Sequence, residues 1–185
     1  GVIYIKTKQG ILSFKTVANK IQQVRLVPKA NHIVVEIIYS KECEAKQDNN
    51  RYASIDLGLD NLCTLASNVA QSIIVDGKRL KSINHYYNKT KAKLQSKLSK
   101  NKHTSKRIIR LTLRRNRKIK DYMHKVSREI VEYMEANSLN TLFAGKNVGW
   151  KDSINLGRTN NQNFVSIPYN MLIQMLEYKC KLAGI

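Results

Sequence analysis

Acidic side chains are scarce in this sequence. Its 185 residues hold 13 Asp and Glu against 33 Lys and Arg, a formal net charge of +20 with a pI near 10.0. A field of that sign attracts polyanions, nucleic acid first and acidic membrane surface second. Long apolar runs are missing too. None approaches the roughly 20 residues needed to cross a bilayer, so no membrane partner is expected. The opening residues show no charged lead followed by an apolar core, which argues against a secretory signal. Cysteine is sparse: Cys43, Cys63 and Cys180 are odd in number, far apart and without CxxC spacing. That pattern argues against a disulfide framework and a zinc ribbon, and suits a reducing, cytoplasmic and nucleoid-associated setting. At 42% hydrophobic the chain has enough apolar side chains for a core, expected as one domain with a smaller appendage.

The positive charge is not spread evenly. Between Lys78 and Arg128 stand 19 basic residues and one acid, Asp121, so this window of 51 residues carries +18 of the +20. Concentration of the charge into one segment points to a phosphate-binding surface.

Residues 1–48 read as a β-rich, barrel-like portion. The runs "VIYIKTK" and "ILSFKT" flank Gln9-Gly10, and "QQVRLV" and "HIVVEIIY" flank "PKAN", a turn signal with Pro28 and Asn31. In the last run Ile33, Val35, Ile37 and Tyr39 alternate with their neighbours, which predicts a largely buried strand. The polar stretch Lys41 to Asn50 marks a boundary.

From residue 49 to 185 the pattern changes. Three short strands, "YASIDLG", "LCTLAS" and "SIIVDG", form an antiparallel meander whose first member carries Asp56. Two helices follow, from about Leu80 to Lys100 and from about Ser105 to Asn137. Ile83, Tyr87, Leu94 and Leu98 make one apolar stripe; Ile119, Met123, Val126, Ile130 and Met134 make the other. The link "KNKHTS" folds them into an antiparallel hairpin, 78–137. Along it, Lys93, Lys97, Lys100, Lys106, Arg107, Arg110, Arg114, Arg115, Arg117 and Lys118 are candidate phosphate contacts. Tyr86, Tyr87, Tyr122 and Tyr133 suit hairpin or core packing better than base stacking.

"NTLFAG" predicts a fourth strand, parallel to the first by the crossover rule. A last helix opens at Ser166-Ile167-Pro168 and closes at Gly184, after which the pattern asks for a fifth strand. Strand, strand, strand, helix, strand, helix, with an aspartate on the first strand, is the order of the α/β ribonuclease-H-like fold, here with a long helical hairpin inserted in a mixed sheet. Asp56 is expected to project from the sheet centre toward a basin walled by the cationic helices. Lys146, Asn147, Trp150 and Lys151 form a basic and aromatic cluster after the fourth strand, and "RTNNQN" (158–163) offers amides and a cation for backbone contacts.

The stretch "IDLGLDNLCTLAS" resembles the first RuvC motif of the TnpB (OrfB-type) transposon-encoded proteins, relatives of type V CRISPR effectors. The stretch from His124 to Ile185 is similar to that family's run through its second RuvC motif, and the preceding strands to the end of its N-terminal barrel. The resemblance implies a RuvC-type domain, RNA-guided cleavage of DNA, a guide RNA as partner, and Mg²⁺ or Mn²⁺ as cofactor. It places the first catalytic, metal-binding aspartate at Asp56. In such sites two ions about 3.5 to 4 Å apart clamp the attacking and leaving oxygens, and a strand-borne carboxylate is rigid enough to bridge them. Gly58 would turn the backbone away just after it.

The second motif departs from the family. Where many relatives carry a glutamate, this chain has Gly145; Asp152 lies seven residues on, and the third carboxylate and zinc ribbon would fall after Ile185. Three readings stay open: a guided endonuclease, a nuclease-inactive binder of RNA and DNA, and an unrelated basic RNA-binding domain. The oligomeric state is open as well.

Overall fold

The computed structural model describes residues 1–29, 32–58, 60–145 and 167–185. The chain divides into two compact units, Gly1–Glu42 and Cys43–Ile185, the change falling at the start of the polar stretch.

The first unit holds two antiparallel hairpins. Strand β1 (Val2–Thr7) pairs with β2 (Gly10–Lys15), and β3 (Ile21–Lys29) with β4 (His32–Tyr39). The first turn closes where Thr7 Oγ1 donates to the Gly10 carbonyl at 2.8 Å, with Gly10 at φ +134°, a conformation that favours glycine. In the second hairpin Arg25 and Glu36 pair across the strands at 2.9 Å, and a bulge between Ile21 and Gln23 shifts the register. Among the described residues the hydrogen-bond ladders make two separate two-stranded sheets. The largely buried β4 expected from alternation is not found: Ile33 is 64% exposed and Tyr39 48%. Alternation records which side chains share a face, but a two-stranded ribbon does not itself cover that face.

The second unit is a mixed α/β domain. Its sheet runs β7 (Ile73–Asp76), β6 (Asn61–Ser67), β5 (Tyr52–Leu57), β8 (Thr141–Ala144), with β5–β6 and β6–β7 antiparallel and β5–β8 parallel. The antiparallel meander comes from short links. The parallel pair needs the long crossover that the two intervening helices supply.

Helix α1 (Lys78–Gln95) ends five residues before the expected Lys100, with Ser96 as its C-cap. Helix α2 (Lys106–Ala136) begins where Ser105 Oγ accepts from the Ile108 amide at 3.3 Å. Its predicted stripe, Ile119, Met123, Val126, Ile130 and Met134, is buried throughout. Helix α3 (Tyr169–Leu182) adds Leu172, Met175, Leu176 and Cys180 to the same core, which also takes Ala53, Ile55, Leu57, Cys63 and Leu65 from the sheet. Gly184, at φ +74°, closes α3, and its carbonyl accepts from Lys46 N at 2.8 Å. A Cβ there would stand 2.7 Å from the Glu44 carbonyl oxygen, so both conformation and space require glycine.

Candidate functional site

Asp56 lies on β5, an internal strand; it pairs with Thr64 on β6, one residue past the end of the ladder with β8. Strand alternation buries Ala53, Ile55 and Leu57 and turns Tyr52, Ser54 and Asp56 to the exposed face. Opposite Asp56 stands Thr64 on β6, whose own partner on β7 is Ile74; Ser54 pairs with Phe143 on β8. Tyr52 and Phe143 meet edge to face with ring centroids 5.7 Å apart.

The carboxyl is on the exposed face of the sheet, while Ile55 and Leu57 on the opposite face share one core cluster with the later, apolar half of α2, from Ile119 to Met134. The core cluster takes in that apolar half of α2 and leaves out the cationic stretch from Lys106 to Lys118. The apolar stripe of α2 joins the apolar face of the sheet, and Asp56 is on the polar one.

The turn after Asp56 is tight. Gly58 N donates to the Leu62 carbonyl at 3.3 Å, a Cβ on Gly58 would lie 3.0 Å from the Asn61 oxygen, and the Tyr169 hydroxyl donates to the Gly58 carbonyl. Burial pushes that phenol up to about 12. The parallel register ends at Ile55 opposite Ala144, so Gly145 follows alongside Asp56. Among the described residues a Cβ built on Gly145 meets nothing within 4 Å. The position has room for a side chain but carries no ligand.

Neighbouring acids are engaged elsewhere. Asp60 pairs with Lys81, whose hydrogen bond and charge hold its carboxyl below the usual range, and Asp76 Oδ1 accepts from Lys78 N at 2.6 Å. Among the described residues no group of three His, Cys, Asp or Glu could hold a metal ion. Asp56 alone does not make a two-ion site, and further ligands would have to come from outside the described residues. Lys146 and Lys151, with Asn147, Trp150, Asp152 and 158–163, lie outside them.

The hairpin gathers the other predicted residues. Lys93 on α1, Lys97 and Lys100 in the turn, and Lys106, Arg107, Arg110, Arg114, Arg117 and Lys118 on α2 are all exposed. At offsets of 3, 7, 10 and 11 from Arg107, residues 110, 114, 117 and 118 share one helix face, away from the buried Ile108 and Ile119. The acids of α2 that form ion pairs, Asp121 with Lys125 and Glu132 with Arg128, stand beyond this stretch.

Arg115 differs from the rest. It is half-buried, its Nε donates to the buried Asn84 at 2.9 Å, its guanidinium sits 5.4 Å over the Tyr87 ring, and burial lowers its pKa. It braces the two helices rather than standing among the exposed cations. The tyrosines also separate. The Tyr122 hydroxyl donates to the Asp76 carbonyl and the Tyr133 hydroxyl to the Gln71 carbonyl, both at 2.6 Å, while Tyr86 is 61% exposed. Packing describes the first two and not Tyr86. Its exposure follows from lying one position before Tyr87 on α1, a step of about 100° around the helix.

A mixed sheet with an apolar face in the core, an aspartate on the exposed face of its internal strand and a cationic two-helix arm define a basic α/β domain. The model of the OrfB_IS605 family, described as probable transposase, matches residues 32–151, and the chain belongs to that family, of TnpB/OrfB type. No curated protein matches it in sequence. Among solved structures it is similar to the Cas12f1–sgRNA–target DNA complex, at 18% identity and a TM-score of 0.58 over 83% of this chain and 37% of that one. It is also similar to a CRISPR-Cas12f ternary complex, at 19% identity and a TM-score of 0.55 over 88% of this chain and 33% of that one. The chain thus spans roughly a third of the length of these structures, and the likeness is one of fold. Among the described residues no helix is long and apolar enough to cross a membrane.

Proposed function

We propose that this chain is a nucleic-acid-binding part of a TnpB-type, RNA-guided DNA endonuclease, with a ribonuclease-H-like domain of RuvC type and a cytoplasmic, nucleoid-associated site of action. The observation that carries the reading is the hairpin: +18 of the net charge lies in 51 residues, and Arg107, Arg110, Arg114, Arg117 and Lys118, all exposed, share one face of α2. Such a face neutralises successive backbone phosphates and releases their counterions. The solved structures of similar fold are of complexes, the first with a guide RNA and target DNA, which supports both as partners. The β7-β6-β5-β8 order, with β5 and β8 parallel and an aspartate on β5, supports the ribonuclease-H-like assignment.

In this reading Asp56 is one carboxylate of a metal-dependent site completed by groups outside the described residues. Its role is to present a fixed anionic oxygen from a strand, on the face exposed among the described residues. When bound, Mg²⁺ or Mn²⁺ would supply Lewis-acid activation of the scissile phosphate.

A second reading is favoured by one observation. Gly145 stands beside Asp56 with open space and no carboxylate. A nuclease-inactive binder would show the same hairpin and the same incomplete acid set. One experiment separates the two. Incubating the protein with its guide and target DNA in Mg²⁺, against EDTA, should give products in Mg²⁺ only, lost in Asp56→Ala while binding survives. Binding without products under both conditions establishes the second reading. An Asp56→Ala protein that cuts at the parental rate overturns the role given to this residue.

A further inference from the structure

Between α1 and α2 the hairpin is not closed. A groove of about 280 Å³ opens along it, floored by Ile83 and Leu111, with Tyr86 on one side and Arg114 and Lys118 on the other. Its chemistry is of two kinds. The α1 side presents an aromatic ring left 61% exposed on a helix whose other tyrosine, Tyr87, is tied to Thr112. The α2 side presents cations one helical turn apart, with no acid lining the groove. A volume near the lower end of small-molecule sites, roughly 300 to 1,000 Å³, holds one nucleotide and excludes a duplex.

The groove is braced rather than collapsible. Arg115 crosses from α2 to Asn84 and covers the Tyr87 ring, holding the helices apart at the groove floor. A site held open before its ligand arrives loses less ordering entropy on binding.

We propose that this groove binds a single unpaired nucleotide of a nucleic-acid strand, its base stacked on Tyr86 and its phosphate held by Arg114 and Lys118. An aromatic face beside paired cations is what base and phosphate together require, and any base can use it because every base has a π-face. The arm would then hold paired segments by their backbone along the outer face of α2, and an unpaired position in the groove. The inference rests on the reading that the chain binds nucleic acid, and not on cleavage or on Asp56.

The test uses fluorescence titration of the whole chain with three oligonucleotides: single-stranded RNA and single-stranded DNA, each carrying one 2-aminopurine, and a blunt DNA duplex. In the parent protein the 2-aminopurine should be quenched on binding. Tyr86→Ala should weaken single-strand binding by about 5- to 100-fold and leave duplex binding within about twofold, while Tyr86→Trp restores the single-strand affinity. Helicity by circular dichroism checks that the variants fold. Tighter binding of the RNA or of the DNA strand identifies the source of the nucleotide. Single-strand binding unchanged in Tyr86→Ala, or an equal loss on the duplex, overturns the groove assignment while the nucleic-acid reading stands. If the parent binds none of the three, it is the proposed function that fails.

Discussion

The outer face of α2 makes a quantitative prediction about salt. Arg107, Arg110 and Arg117 are exposed on that face, with Arg114 between them at the groove. From 107 to 117 the helix rises about 15 Å, a length that spans about four phosphates at 3.4 Å per nucleotide along one strand. Each cation can therefore reach a separate phosphate. Changing all three arginines to glutamine removes up to three contacts while keeping comparable helix propensity. Each contact contributes about 0.9 to the slope of log K against log salt on duplex DNA, so the slope should shallow by about 2.7. Between 50 and 200 mM salt one contact corresponds to about a 3.5-fold fall in affinity, and three to about 40-fold. Fluorescence anisotropy of a labelled duplex over that salt range measures the difference directly. A triple variant that keeps its helicity and shows the parental slope would falsify the assignment of this face to the phosphate backbone, whatever its absolute affinity.

Other outcomes follow from the domain core and the Asp56 face. Gly145→Glu should be tolerated, with less than about 0.5 kcal/mol lost in urea unfolding, because none of the described residues lies within 4 Å of its Cβ; if Asp56 is a metal ligand, calorimetry should show tighter Mn²⁺ binding than in the parent. Met123→Ala empties a fully buried position and should cost about 2 to 5 kcal/mol by the same urea assay, whereas Tyr86→Ala should cost far less. Burial pushes Cys63 and Tyr169 up to about 12 and Cys180 to about 11. The folded chain then keeps protons that the unfolded chain starts to release from about pH 8.5, so their contribution is complete below that pH and is lost as pH rises toward 12. Thermal melts should show the midpoint falling between pH 9 and pH 11, and a pH-independent midpoint there would contradict the burial of these groups.

Much of the second unit was legible because its signals are local. The apolar repeat of α2, the serine before it and the proline and glycine around α3 specify helices through contacts within a few residues, and the described ends agree closely. The parallel pairing of β5 and β8 followed from the long crossover between them. The end of α1 was misjudged: Leu98 extends the apolar spacing on paper, but the helix stops at Gln95 and Leu98 lies in the following turn, only half-buried. Lys146 and Lys151 lie outside the described residues.

By itself the sequence determined the concentration of charge in the hairpin, the alternation that sets Ser54 and Asp56 against Ala53, Ile55 and Leu57, and the gap in the acid set at Gly145. The tertiary structure decided which face of the sheet joins the core with α2 and α3, and so left Asp56 on the exposed face. It also decided that Arg115 is a brace, that Tyr86 faces solvent while Tyr122 and Tyr133 are tied to the sheet's loops, and that β4 stays half-exposed. The physical reason is common to all of these. Periodicity states which residues share a face, whereas burial depends on which other element occupies the space beyond it, and that is set by packing between segments distant in the chain.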